Sequence, residues 1–203
     1  MLTLKQLEIL NVFWREPWRE FSFSDLKRLL NESSSSKLQK AIGNFKKENL
    51  VNISIVGRTS LISLNFENNK LFDYLSLLDF EFRKIPLDIL LLIQKEILKE
   101  SEFFSIVVFG SYVSGEQKKG SDLDVAIVVE SEDVKKRIVP VVKSVKRKSL
   151  IEIHDLVFTR EEFLEMLCVD EENVGKEIAR KNYVFYGLVN FYKLISKEGR
   201  WRN

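Results

Sequence analysis

The sequence predicts an α+β protein, α/β-like in its second half: a small N-terminal domain followed by a larger one with a mixed sheet flanked by helices. Three observations predict it. Apolar residues recur at helical spacing three times before residue 50, and two β-branched runs then flank a glycine turn. Beyond residue 104, apolar strands alternate with amphipathic helices. With 203 residues, 45% hydrophobic and 11% aromatic, the chain has material for one large core or two small ones.

Leu4, Leu7, Leu10 and Phe13 or Trp14 share one face of a first helix, with Thr3 and Gln6 as a capping box and Pro17 ending it. After Phe21 and Phe23, Ser24 is positioned to cap a second helix, "DLKRLLN", with Leu26, Leu29 and Leu30 inward. The serine run 33–36 starts a third. There Leu38, Ala41, Ile42 and Phe45 fall at i, i+3, i+4 and i+7, which leaves Lys37, Gln39, Lys40, Asn44 and Lys47 outside. "LVNISIV" and "SLISLNF" form a hairpin around Gly57, Arg58 and Thr59.

Leu71, Phe72, Leu75 and Leu78 predict a connecting helix within 67–85, and Pro86 opens the next helix. The order then reads strand 104–109, helix from 111, strand 122–130, helix 132–148, strand 150–158, and helices to the end. The aromatic run "KNYVFYGLVNFYKLIS" reads as a helix covering one side of the sheet.

The net charge of +2 is too small to imply nucleic-acid binding by bulk charge. It is uneven, however: residues 1–66 hold ten Lys and Arg against six Asp and Glu, a local +4, which leaves −2 for the rest. One cysteine, Cys168, excludes an internal disulfide and suits a reducing compartment. "PLDILLLI" at 86–93 is far shorter than the roughly 20 apolar residues a membrane helix needs, and "MLTLKQLEIL" lacks a signal-peptide pattern. The expectation is a soluble cytoplasmic protein with no membrane partner.

The chemistry concentrates in "VVFGSYVSGEQKKGSDLDVAIVV", residues 107–129. Gly110 and Ser111 follow a strand, where glycine permits a tight turn and the free amides of a helix start suit a phosphate. Eleven residues on, Ser121, Asp122, Leu123 and Asp124 lead into an apolar strand, with Asp122 and Asp124 on one face. Paired carboxylates at an apolar strand mouth are costly unless a cation neutralises them. Oxygen ligands next to a phosphate cradle suit Mg²⁺, which takes the rest of its shell from water and substrate phosphates.

This stretch resembles the signature of the DNA polymerase β-type nucleotidyltransferase superfamily, most closely its small prokaryotic domains, over residues 86 to about 195. The resemblance implies that Gly110, Ser111 and Ser121 bind the triphosphate of an NTP. It also implies that Asp122 and Asp124 ligate metal, two Mg²⁺ ions in such sites. Lys118 and Lys119 either hold the triphosphate or solvate the loop. The family's third carboxylate, which the resemblance implies ligates the catalytic metal and helps activate the acceptor hydroxyl, belongs on the next strand, "LIEIHDLVFT", which offers Glu152 and Asp155 on opposite faces; alternation favours Glu152, which shares its face with His154, the single histidine. Lys143, Lys146, Arg147 and Lys148 read as a solvated helix face.

Residues 1–66 resemble the winged helix-turn-helix fold, in which the third helix enters the major groove of duplex DNA. That resemblance makes Lys37, Lys40, Lys47 and Arg58 the DNA-facing candidates. The resulting domain expectation is a winged helix at 1–66, a connector at 67–85 and a nucleotidyltransferase domain at 86–203. The implied activity is Mg²⁺-dependent transfer of a nucleoside monophosphate to an acceptor hydroxyl on a protein, a small molecule or a nucleic acid. The competing reading is a non-catalytic DNA-binding regulator or antitoxin whose second domain binds nucleotide or partner. Analogy adds a toxin-like partner protein and a homodimer.

Overall fold

The computed structural model describes residues 1–31, 35–79 and 85–196. The chain forms two compact units, Met1–Glu81 and Phe82–Asn203, and its class is mixed α+β.

In the first unit, α1 (Leu4–Arg15) begins at the expected capping box, with Thr3 Oγ1 accepting from the Gln6 amide and Gln6 Oε1 from the Thr3 amide. Its inner face is Ile9, Leu10, Phe13 and Trp14, while Leu4 lies in solvent. A two-residue strand, β1 (Phe21–Ser22), stands where the sequence suggested only a link. Phe21 is fully buried with its ring edge-on to Phe13, 5.2 Å between centroids.

Helix α2 (Phe23–Leu29) is capped by Ser22 and not by Ser24. The reason is the third residue on. Asp25 returns a carboxylate to the Ser22 amide, whereas Lys27, three after Ser24, has no acceptor to offer. Only Leu26 is buried there; Leu29 is exposed and Leu30 half-buried, against the expectation.

Helix α3 (Ser35–Lys47) buries Leu38, Ala41, Ile42 and Phe45 as the spacing predicts. The start of its serine run lies outside the described residues. Strands β2 (Val51–Val56) and β3 (Thr59–Leu64) pair antiparallel from Val56 and Thr59, so the turn is Gly57 and Arg58 alone. Strand β3 is central in the order β1-β3-β2.

Helix α4 (Asn69–Asp79), read from sequence as the connector, packs against α1 within this unit. Its Tyr74 hydroxyl donates to Glu48 and accepts from the Leu2 amide, and Lys70 pairs with the same carboxylate at 2.8 Å. The Lys70 hydrogen bond, followed by that of Tyr74, holds the Glu48 carboxyl below its ordinary value of 4.5. A depressed acid stabilises the fold above its unfolded-state pKa and loses that contribution as pH falls through the folded one. We therefore expect Glu48→Gln to cost about 1–2 kcal/mol at pH 7 and less at pH 3. Denaturant unfolding at both pH values, followed by tryptophan fluorescence, checks this.

The second unit is a four-stranded sheet in the order β6-β5-β4-β7, with helices on both faces. Strand β4 (Phe104–Val108) pairs antiparallel with β5 (Leu123–Val129), and β5 pairs parallel with β6 (Ile153–Thr159). Between them lie the single turn α6 (Ser111–Ser114) and the crossover helix α7 (Glu132–Lys146).

Leu90, Ile93 and Ile97 of α5 (Leu87–Ile97) join Ile138, Val142 and the odd-numbered residues of β5 in one core. The opposite face carries α8 (Arg160–Cys168) and α10 (Leu188–Ser196), where Phe163 and Phe191 meet at 5.7 Å. Helix α9 (Val174–Arg180) follows α8 and packs against it.

The aromatic run is not one helix. Its first part is β7 (Tyr183–Tyr186), paired antiparallel with the open edge of β4, and Gly187 separates it from α10. Gly187 has φ 74°, and a Cβ there would strike the Phe104 carbonyl, so the chain turns at this point. The aromatics serve the core as expected: Tyr183, Phe191 and Tyr192 are buried. No helix among the described residues is long and apolar enough to cross a membrane.

Candidate active site

Strand β4 ends in a turn that only glycine makes easily. Gly110 has φ 66° and ψ −144°, a region other residues avoid, and its carbonyl accepts from Val113 and Ser114 to close α6. Ser111 heads this turn, half-buried, where the first amides of a helical turn lack intrahelical acceptors. Lys118 and Lys119 are exposed on the loop that follows. That loop is pinned by Ser121, whose hydroxyl accepts from the Lys118 amide at 2.8 Å and whose amide donates to the Lys118 carbonyl. Ser121 thus shapes the loop.

The chain then enters β5. Asp122 lies exposed just before the strand, and Asp124, half-buried, is its second residue. The Phe109 amide donates to the Asp124 carbonyl. The Asp124 carboxylate lies against Gly110 so closely that a Cβ at 110 would collide with Oδ2. The glycine turn and the second aspartate are therefore in direct contact.

The parallel pairing with β6 sets the other wall. Leu123 aligns with Ile153 and Asp124 with His154, and the Leu123 amide donates to the Glu152 carbonyl one residue earlier. In-register residues of a parallel pair point to the same side, so Asp124 and His154 share one face, and Asp122 and Glu152 each lie one residue before the paired segment. Asp155 points the other way and pairs with Lys146 of α7 at 3.0 Å, its side chain 14% exposed. Glu152 is exposed.

The contact that sequence reading missed is His154 Nδ1 to Asp124 Oδ1, 3.1 Å apart. Only the register between two strands separated by a helix reveals it, although alternation had placed His154 on the right face.

Among the described residues, no three His, Cys, Asp or Glu side chains converge closely enough to cage a metal ion by themselves. The chemistry of the donors nevertheless fits Mg²⁺, which is commonly held by one or two carboxylates with the remainder from water and substrate phosphates. Asp122 and Asp124 are the residues that would hold it. The far end of the sheet carries a separate cavity of about 340 Å³ between Phe103, Val129, Arg160 and Lys193.

Residues 91–183 match the family model of the nucleotidyltransferase domain. The matched segment runs from within α5 to the first residue of β7 and includes every residue of the site just described. The match covers strands β4, β5 and β6 of the second unit's sheet, and nucleotidyl transfer is the chemistry that this similarity supports. No curated protein matches the chain.

Lys37, Lys40 and Lys47 on α3 and Arg58 in the hairpin turn are all exposed and lie outside the matched segment.

Proposed function

We propose that the chain transfers a nucleoside monophosphate from an NTP to an acceptor hydroxyl in a Mg²⁺-dependent reaction. The acceptor oxygen attacks the α-phosphorus, the bond from that phosphorus to the bridging oxygen breaks, and pyrophosphate leaves. Bound at Asp122 and Asp124, the metal ions would neutralise charge on the phosphates and lower the pKa of the acceptor hydroxyl. Ser111 and the turn amides hold the triphosphate, with Lys118 and Lys119 reaching its outer phosphates. Glu152 completes the carboxylate set and receives the acceptor's proton.

The observation that carries this reading is the contact between Gly110 and the Asp124 carboxylate. It supports the reading because one ligand could touch both the turn and the carboxylate. The test is incubation with α-labelled ATP, CTP, GTP and UTP in turn, with Mg²⁺ and co-purifying partners. We expect label on one acceptor and an equal yield of pyrophosphate. Absence of both with all four nucleotides refutes the reading, and nucleotide-dependent thermal stabilisation without transfer would instead support the binding-only alternative.

For the first unit, the order of elements supports a winged-helix reading, with α3 and the hairpin turn presented to duplex DNA. Contacts from Lys37, Lys40, Lys47 and Arg58 to four phosphates predict a log K against log salt slope of about −4 for the full chain on mixed-sequence DNA. Replacing Lys37 and Lys40 with alanine should make it shallower by about 2. Salt-insensitive or absent binding overturns the DNA role, leaving a protein partner such as a toxin as the target of this unit.

A further inference from the structure

We propose that the cavity at the far end of the second unit's sheet binds a small amphipathic carboxylate, at a site separate from Gly110 and Asp124. The inference does not rest on the nucleotidyl-transfer reading.

The strands set its position. Ser105 of β4 and Val128 of β5 pair on the face that α8 and α10 cover, because Phe104 and the odd-numbered residues of β5 belong to the core with α5. Asp124 and Val128 lie four residues apart along β5, roughly 13 Å at about 3.3 Å per residue, so the cavity and the candidate active site are at opposite ends of one strand. Leu194 of α10 also lines the cavity, as does Phe103, which is 65% exposed. A volume of about 340 Å³ falls within the range of roughly 300–1,000 Å³ that small organic ligands occupy.

The charges select the ligand. Arg160, the first residue of α8, and Lys193 of α10 both line the cavity. Neither side chain has an ion-pair or hydrogen-bond partner among the described residues, whereas other cations of this unit are neutralised, Lys135 by Glu162 and Arg180 by Glu172. Glu130 is the one carboxylate in the lining, so two cations face one acid and the net charge is +1. A single negative charge balances it. A phosphate monoester carries close to two at neutral pH and overshoots. A carboxylate carries one, and its two oxygens match the paired donors of a guanidinium. The buried side chains of Phe104, Val128, Val129 and Leu194 receive the apolar body of the ligand.

Octanoate, octanol and octylamine serve as probes, titrated into the full chain by calorimetry. Nuclear magnetic resonance of ¹³C-labelled Val and Leu methyl groups locates the binding. We expect one octanoate per chain, with the largest shifts at Val128, Val129 and Leu194. Octanol and octylamine should bind at least about tenfold more weakly, the loss expected when a charge-assisted hydrogen bond is removed. That comparison uses the unaltered chain, so it stands even if a variant folds poorly. Arg160→Gln combined with Lys193→Gln should lower octanoate affinity about tenfold and leave octanol unchanged. Lys143→Gln, at an exposed cation of α7, should alter neither. Mg²⁺ with ATP should not displace octanoate. Octanoate binding no tighter than octanol, octyl phosphate binding tighter than octanoate, or shifts centred elsewhere in the chain would each overturn the proposal. Displacement by Mg²⁺ and ATP overturns it too, and none of these results bears on whether the chain transfers nucleotides.

Discussion

Asp124→Asn is expected to lower nucleotidyl transfer by about 10³-fold or more while leaving the protein folded. Asparagine has nearly the same shape as aspartate. It keeps an oxygen acceptor for His154, whose Nδ1 lies 3.1 Å from Asp124 Oδ1, and it occupies the same space against Gly110. What it lacks is the charge that draws a divalent cation. A metal ion contributes several kcal/mol to the stabilisation of charge in the transition state. At 1.36 kcal/mol per tenfold change in rate, roughly 4 kcal/mol corresponds to three decades.

The measurement is the initial rate of label transfer, paired with thermal melting with and without Mg²⁺ and nucleotide. Wild type should melt higher when both are present, and the variant should not. Asp122→Asn is expected to follow the same direction with a smaller loss, because Asp122 is exposed before the strand, where water competes for the ion. Transfer that survives Asp124→Asn would mean that the reaction uses some other part of the chain.

Much of this site is legible in the sequence because its parts are close along the chain. Gly110, Ser111, Asp122 and Asp124 fall within fifteen residues, and the glycine, the serine and the alternating aspartates each have a local physical reason. The face of α3 is legible for the same kind of reason: Leu38, Ala41, Ile42 and Phe45 are spaced by the helix itself.

The missed features depend on partners far along the chain. Strand β1 is two residues long and exists only because Phe21 and Ser22 lie against Ile62 and Leu61. Strand β7 forms because β4 has an open edge, and its Tyr-Val-Phe-Tyr run has the β-branched and aromatic side chains that fit one. In both places the sequence shows apolar residues of ambiguous period, and tertiary pairing decides. The pairing of His154 with Asp124 is the same case at the site, since the two are 30 positions apart with a whole helix between them.

Gly110→Ala is expected to lower nucleotidyl transfer by about 10²-fold, although it removes no chemical group. The backbone at Gly110, φ 66° and ψ −144°, lies where an alanine is strained by about 1–3 kcal/mol. Its Cβ would also occupy the space of the Asp124 carboxylate, so either the turn that holds the phosphates or the charge that holds the metal must move. Misplacement of reacting groups by about 1 Å costs roughly 10²-fold in rate.

Gly115→Ala separates the two causes. Gly115 also has a positive φ, 80°, but a Cβ there meets nothing within 4 Å. It should therefore lose about 1 kcal/mol of stability and retain most of its transfer rate. If the two alanine variants lose activity alike, backbone strain in the loop controls the reaction. If only Gly110→Ala loses it, with nucleotide-dependent stabilisation lost as well, the contact between the turn and Asp124 is what makes the site one unit.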